Sequence, residues 1–534
     1  MMLSLAGLVS RLLGAAYKPV IVRLFAPYDG KAGAIGAGLT QVPLTTYMVI
    51  LSFTSVGLNV GISRLVAERM ALGDARGARR VFRVSLVLMG ALGLVSSVLL
   101  WFGAPYIAGF FSKDLLETVP GFRATAPALF VVSIMAAYRG LFQGFQQMSP
   151  NAYSQIIEQV VRVAAGIVLT LVVLRQTSSV PLGAAAFNFG DVLGAVAGLV
   201  YLLLLVRSAG RSLWRASPEE AATIDASTAQ GDLYESPGAL VRRILAVAAP
   251  VAIAGAVVPL MMQADTFFVF RAMEQAGVGK DDAQAAYGLL TNAFMITYLP
   301  SIFTAAIYTS ILPAITHAMT QGRLDVARTR SKQAYRMTLA LAAPAQAGLY
   351  VLAAGVYALI YGDAAGGSVM AALSWSVVPI MLQQTTSGVL QGAGRIALPV
   401  RNFVIGALVK MGLTAWWTLL WGINGAAYAT AVGFLVAALL NLVDVERRLG
   451  RTLQTRSMIF KPVLASLAMA GAIAGLRQVV PEGHLATLGL IAAGGVVYGI
   501  AMLLVGGLRR QELEMIPKVG HTLAGLLART RLLR

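Results

Sequence analysis

The sequence predicts an all-α polytopic membrane protein of about fourteen transmembrane helices. They form two pseudo-symmetric six-helix lobes around a central cavity, followed by a C-terminal helix pair. Three observations carry this reading. Mean hydropathy over the 534 residues is +0.74 and only 12% are charged, where a soluble domain has about 25%. Apolar segments long enough to cross roughly 30 Å of hydrocarbon at 1.5 Å per residue recur along the whole chain. Sequence blocks also recur about 250 residues apart. Helices are preferred to barrel strands because the segments lack strict alternation of apolar and polar residues.

The spans are expected near 2–23, 36–62, 84–108, 122–142, 150–174, 181–206, 244–270, 285–313, 336–361, 366–390, 398–420, 423–443, 459–476 and 485–508. The start, MMLSLAGLVSRLLG, is expected to stay as the first span, because Arg11 interrupts its apolar run instead of preceding it as in a signal peptide. Pro43, Pro259 and Pro300 are expected to kink the second, seventh and eighth spans. Lys and Arg resist translocation. With both termini cytoplasmic, most of the 42 Lys and Arg fall on one side: Arg64 to Arg83, Arg139, Arg207 to Arg243, Arg323 to Arg336, Arg395 with Arg401, Arg447 to Lys461, and the tail from Arg509. The net charge of +19 is thus read as topology and contact with membrane lipids, with no nucleic-acid partner.

The repeat organises the chain. Gln143-Gly144 is matched by Gln391-Gly392, Pro150 by Pro399, Gly73 by Gly322, and Gly38-Leu39 by Gly288-Leu289. The expected division is therefore 1–207 for the N-lobe, 208–239 for a polar cytoplasmic linker, 240–448 for the C-lobe, and 449–534 for the last helix pair and a basic tail. With no Cys, three scattered His and no Gly-rich phosphate loop, neither metal, cofactor nor catalysis is expected. Duplicated helical halves are a transporter design, with substrate bound near the midplane.

Three segments, SRLLGAAYKP, GLNVGISRLVAERMALGD and RGLFQGFQQMSPNAYSQIIEQVVRV, resemble the signature stretches of the stage V sporulation protein B and YtgP-like polysaccharide biosynthesis proteins. These belong to the multidrug, oligosaccharidyl-lipid and polysaccharide exporter superfamily, which also holds the lipid II flippases of peptidoglycan synthesis. The resemblance implies fourteen helices, a V-shaped cavity between two lobes, and passage of an undecaprenyl diphosphate-linked saccharide from the inner to the outer leaflet; a monomer in the bacterial cytoplasmic membrane is expected. The short N-terminus departs from that pattern, lacking a basic cytoplasmic leader.

Candidate site residues are the charges and amides inside spans. On the first span, Ser4, Arg11 and Lys18 recur every seven residues on one face. A buried cation costs at least about 2.5–3.5 kcal/mol on insertion scales, so it faces a cavity or pairs with a carboxylate such as Asp191 or Glu158. The resemblance adds weight to Arg11, since lipid II flippases show a similar SR-hydrophobic-LG segment with a substrate-contacting Arg. On the fifth span, Asn151, Gln155, Glu158 and Arg162 form one polar stripe. Either it lines water, with Glu158 placed four residues before Arg162 for an ion pair, or its amides bond neighbouring helices. Lys410 is the repeat counterpart of Arg162. Asp191 and Asp265 are candidates for coupling to Na+ or a proton, or for structural hydrogen bonds. Two other classes compete: a cation-coupled multidrug antiporter, which would favour an acidic cavity, and a membrane enzyme acting on polyprenyl phosphates, which would cluster Asp or His around a metal.

Overall fold

The computed structural model describes residues 17–28, 31–210, 235–453 and 456–506, and every regular element among them is helical. The chain falls into two compact units, Met1–Gly288 and Leu289–Arg534.

The first unit holds α1 (17–25), α2 (Ala32–Leu51), α3 (Gly57–Ala71), α4 (Ala75–Phe111), α5 (Val119–Gly144), α6 (Met148–Thr177), α7 (Val180–Ala209) and α8 (Pro237–Gln275). It also includes the start of α9 (Lys280–Tyr298). A π-helical turn at Ser52–Val56 joins α2 to α3. Asp74 begins α4 by accepting a hydrogen bond from the Gly77 amide at 2.7 Å, the role that short acidic side chains play at helix starts. Ser236, followed by Pro237, begins α8 in the same way through the Ala239 amide. An aromatic and aliphatic core gathers Tyr17, Ile21, Phe25, Leu39, Leu174 and Phe187. The outward face of α4 is apolar and bare, with Leu99, Phe102, Tyr106 and Phe110 all exposed, as expected of a surface that meets lipid.

The rest of α9 and the helices α10 (Ser301–Thr320), α11 (Leu324–Val351), α12 (Ala353–Tyr361), α13 (Gly367–Ser374), α14 (Val377–Gly392), α15 (Ala397–Trp421), α16 (Ile423–Leu449), α17 (Lys461–Leu476) and α18 (His484–Leu504) form the second unit. Its core packs Ile307, Ile311 and Ile315 of α10 against Tyr335, Leu339, Leu390 and Leu442.

Local geometry repeats with the sequence. Gly73 and Gly322 both turn the chain with φ near 70°, a conformation glycine adopts without penalty. Gln146 and Gly394, 248 residues apart, both take positive φ after α5 and α14. Eleven described helices are long and apolar enough to cross a membrane, or twelve if the pair α11–α12, bent by 82°, counts as one span. Most of the expected span 2–23 lies outside the described residues, and the expected span 366–390 is broken. Its break at Trp375–Ser376 follows from Pro379, whose ring clashes with the carbonyl four residues earlier. Pro300, which lacks an N–H and disfavours helical geometry in Leu299 before it, stands at the break between α9 and α10, whereas α8 continues through Pro259.

Within the first unit, α8 and α9 are tied to the earlier helices at both ends. Near one end, Arg243 pairs with Glu68 at 2.5 Å, and Arg69 with Glu235 at 3.1 Å. At the other, Lys280 pairs with Glu117 and Lys31 with Asp282.

Candidate functional site

Three members of the polar stripe of α6, Asn151, Glu158 and Arg162, are held by neighbouring helices. Asn151, buried, donates to the Arg139 carbonyl at 2.9 Å. The Arg139 guanidinium on α5 donates to Ser154 Oγ at 2.9 Å and to Glu158 Oε2 at 2.7 Å. Glu158 is therefore spent on Arg139, and the expected Glu158–Arg162 pair along one helix does not form. Arg162 turns instead to Asp191 on α7, with Nη1 to Oδ1 at 3.3 Å. An intrahelical i, i+4 pair stabilises only by about 0.2–0.5 kcal/mol, so a buried partner on an adjacent helix readily outcompetes it.

Close backbone approach brings Asp191 within reach. Gly190, Gly194 and Gly198 line one face of α7. A Cβ on Gly190 would sit 2.6 Å from the Arg162 carbonyl, and one on Gly194 2.5 Å from the Glu158 carbonyl. Only a stripe of small residues lets two membrane helices pack so tightly. That stripe, read in GDVLGAVAG, was the signal from which the α6–α7 contact could have been foreseen.

Around this pair lies a small pocket lined by Tyr17, Thr40, Gln41, Arg162, Asn188 and Asp191. The Arg162 guanidinium stands over the Tyr17 ring, 5.6 Å from its centroid, and Tyr17 stacks on Phe187 at 5.0 Å. Such a cation held over a ring face gains electrostatically. Asn188 donates to the Thr40 carbonyl at 3.4 Å. Among the described residues, Arg162 Nε is buried without a hydrogen-bond partner. Chemically, the pair can exchange partners: an anionic oxygen could replace Asp191 at Arg162, or a cation could replace Arg162 at Asp191.

The remaining candidates are dispersed. Lys18 and Gln155 are half-buried and do not line this pocket. Asp265, also half-buried, lies on α8 beside Thr266, which shares a 2.7 Å hydrogen bond with Tyr287 of α9. Lys410 is 2% exposed on α15 in the second unit. A Cβ on Gly433 of α16 would meet Lys410 Cβ at 2.6 Å and the Gly406 carbonyl at 2.8 Å. Those are the same contacts that Gly194 makes with Arg162 Cβ and the Glu158 carbonyl, so each repeat seats its intramembrane cation against a glycine. Arg11 lies outside the described residues. Among those residues no group of His, Asp or Glu could hold a metal ion.

In fold, this helical protein with two repeats is similar to solved structures of a flippase and of a multidrug transporter. A solved structure described as "Lipid II flippase MurJ, inward closed conformation" matches 93% of this chain and 97% of its own, with TM-score 0.70 and 15% identity. An inward-facing multidrug resistance MATE transporter of the MOP superfamily matches 82% of this chain and 94% of its own, with TM-score 0.65 and 18% identity. The model of the polysaccharide biosynthesis protein family matches residues 1–319, and the chain belongs to that family. Stage V sporulation protein B of Bacillus subtilis is 28% identical over 524 residues, 97% of this chain and 96% of that protein. The Lipid II flippase MurJ of the same organism is 26% identical over 461 residues, covering 84% and 82%.

Proposed function

We propose that the protein is a flippase carrying an undecaprenyl diphosphate-linked cell-wall precursor, lipid II before other lipid-linked oligosaccharides, from the inner to the outer leaflet by alternating access. The observation that carries this reading is a cation inside each repeat, Arg162 and Lys410, in a chain similar along most of its length to a lipid II flippase. A diphosphate drawn from water into a membrane needs fixed positive charge, and Arg162 brings one to the lining of the pocket. Asp191 then serves as the counterion that holds Arg162 until the anion arrives. The protein works as a monomer in the bacterial cytoplasmic membrane with both termini inside, and is driven by Na+, protons or the membrane potential. The test is reconstitution into proteoliposomes with fluorescent lipid II, scoring leaflet accessibility with and without an imposed potential. Efflux of organic cations in exchange for Na+ or protons, with no lipid movement, would instead make it a multidrug antiporter.

A further inference from the structure

A second polar surface, in the second unit, is built from uncharged side chains and is absorbed by none of the preceding chemistry. Helix α14 reads VVPIMLQQTTSGVLQG, too rich in amides and hydroxyls for a lipid-facing span. Thr385, Thr386 and Ser387 are buried. They are used internally, Thr385 with Thr338 at 2.7 Å, and Thr386 and Ser387 with Asn441 at 3.1 Å each. Gln384, Gly388 and Gln391 fall at i, i+4 and i+7, hence on one face, and both glutamines are half-buried.

Two rungs join this face to α10. Thr304 Oγ1 donates to Gln384 Oε1 at 2.6 Å, and Gln384 Nε2 donates to the Tyr298 hydroxyl at 3.0 Å. The Tyr308 hydroxyl donates to Gln391 Oε1 at 2.5 Å. Gly388 seats the Tyr308 ring, since a Cβ there would stand 2.8 Å from its Cδ2. These bonds orient the amides and leave the Gln391 N–H donors without a partner among the described residues. Tyr298 is 37% exposed and stacks on Phe294 at 5.6 Å. It lies 18 residues after Lys280 and 22 before Thr320, midway along the α9–α10 pair. An amide left to hydrocarbon would be costly, so this exposed face meets water or a polar ligand.

We infer that Tyr298, Tyr308, Gln384 and Gln391, with Gln384 oriented by the buried Thr304, form a recognition surface for the saccharide portion of the lipid-linked cargo. Planar amides and hydroxyls that both donate and accept match sugar hydroxyls and N-acetyl groups, and the exposed Tyr298 ring supplies the flat apolar contact a pyranose offers. The absence of charge among these four residues makes the surface unsuited to the diphosphate, whose recognition falls to the cations. This inference rests on the flippase reading and extends it from the diphosphate to the sugar.

The experiment measures binding of two probes to the full-length protein in nanodiscs: undecaprenyl diphosphate, and lipid II, which adds a disaccharide pentapeptide to the same lipid. Wild-type protein should bind lipid II more tightly. Gln391→Leu should reduce lipid II affinity about tenfold, the worth of one or two hydrogen bonds, with undecaprenyl diphosphate affinity and thermal midpoint unchanged. Tyr308→Phe, which keeps the ring on Gly388 and removes only the hydroxyl, should weaken lipid II binding in the same selective way. Equal loss for both lipids, an unchanged preference in both variants, or a wild type indifferent to the sugar overturns the inference while leaving the flippase reading intact. Failure of the wild type to bind either lipid overturns both.

Discussion

Gly38 and Gly288, which hold the same position in the two repeats 250 residues apart, pack against each other where α2 crosses α9. A Cβ on Gly288 would stand 1.8 Å from the Ala34 carbonyl, and one on Gly38 2.7 Å from the Gln284 carbonyl. Both obstacles are backbone, which cannot rotate away as a side chain can. Gly288→Ala should therefore force the helices apart at a cost of about 1–3 kcal/mol, lowering the thermal midpoint in detergent more than Gly279→Ala, where a Cβ meets open space. Equal midpoints for the two variants would mean that the crossing is loose.

The Arg162–Asp191 pair is nearly enclosed, with side chains 18% and 8% exposed. Removing one partner leaves the other charge in a poorly solvated place, whereas removing both does not. Asp191→Asn should cost about 2 kcal/mol of stability, and Arg162→Gln on top of it should recover most of that loss. Transport should follow a different order. Arg162→Ala and Lys410→Ala are expected to insert into the membrane normally but flip lipid poorly, since each removes a cation from its repeat. Thermal unfolding and flipping measured on the same preparations separate the two roles, and full transport in both alanine variants would return the α6 stripe to helix packing.

Much of this was legible in the sequence because hydropathy and repetition are local properties. The paired positions Gly73 and Gly322 were visible as letters before they appeared as matching turns. Partner choice was less legible, because it depends on which helix lies alongside. Glu158 sits four residues from Arg162, yet pairs with Arg139 nineteen residues away, while Asp191 arrives through the glycine stripe of α7. Tyr17 and Asn188 escaped notice for the same reason: an aromatic ring or amide in a span acquires meaning only from what it faces. Span 366–390 is continuous by hydropathy, which does not register Pro379, whose effect is steric and falls four residues upstream.

Topology follows from charge placement and is open to direct labelling, since the chain has no Cys. Asp225→Cys, in the segment between Gly210 and Glu235, should react with a membrane-impermeant maleimide only after cells are opened. Gly279→Cys, at the start of α9, should react in intact cells. Labelling of position 225 from outside would invert the orientation and with it the direction of transport proposed above.

Arg11 is the sharpest case, although it lies outside the described residues. If the cargo is an undecaprenyl diphosphate-linked saccharide, its headgroup brings two or more negative charges into a site that excludes bulk water, while its tail stays in lipid. A fixed cation offsets that desolvation. Arginine presents a planar fork of donors matched to phosphate oxygens, whereas lysine presents a compact point charge. Arg11→Ala should abolish flipping without loss of protein from the membrane, and Arg11→Lys should retain only part of it. An inside-negative potential opposes inward return of the anionic headgroup and favours resetting of the empty cationic site toward the cytoplasm, at about 2.3 kcal/mol per charge per 100 mV. Flipping of fluorescent lipid II in proteoliposomes should therefore slow when the potential is collapsed with an ionophore. Wild-type flipping by Arg11→Ala would remove this residue from the binding chemistry and leave the diphosphate to Arg162 and Lys410.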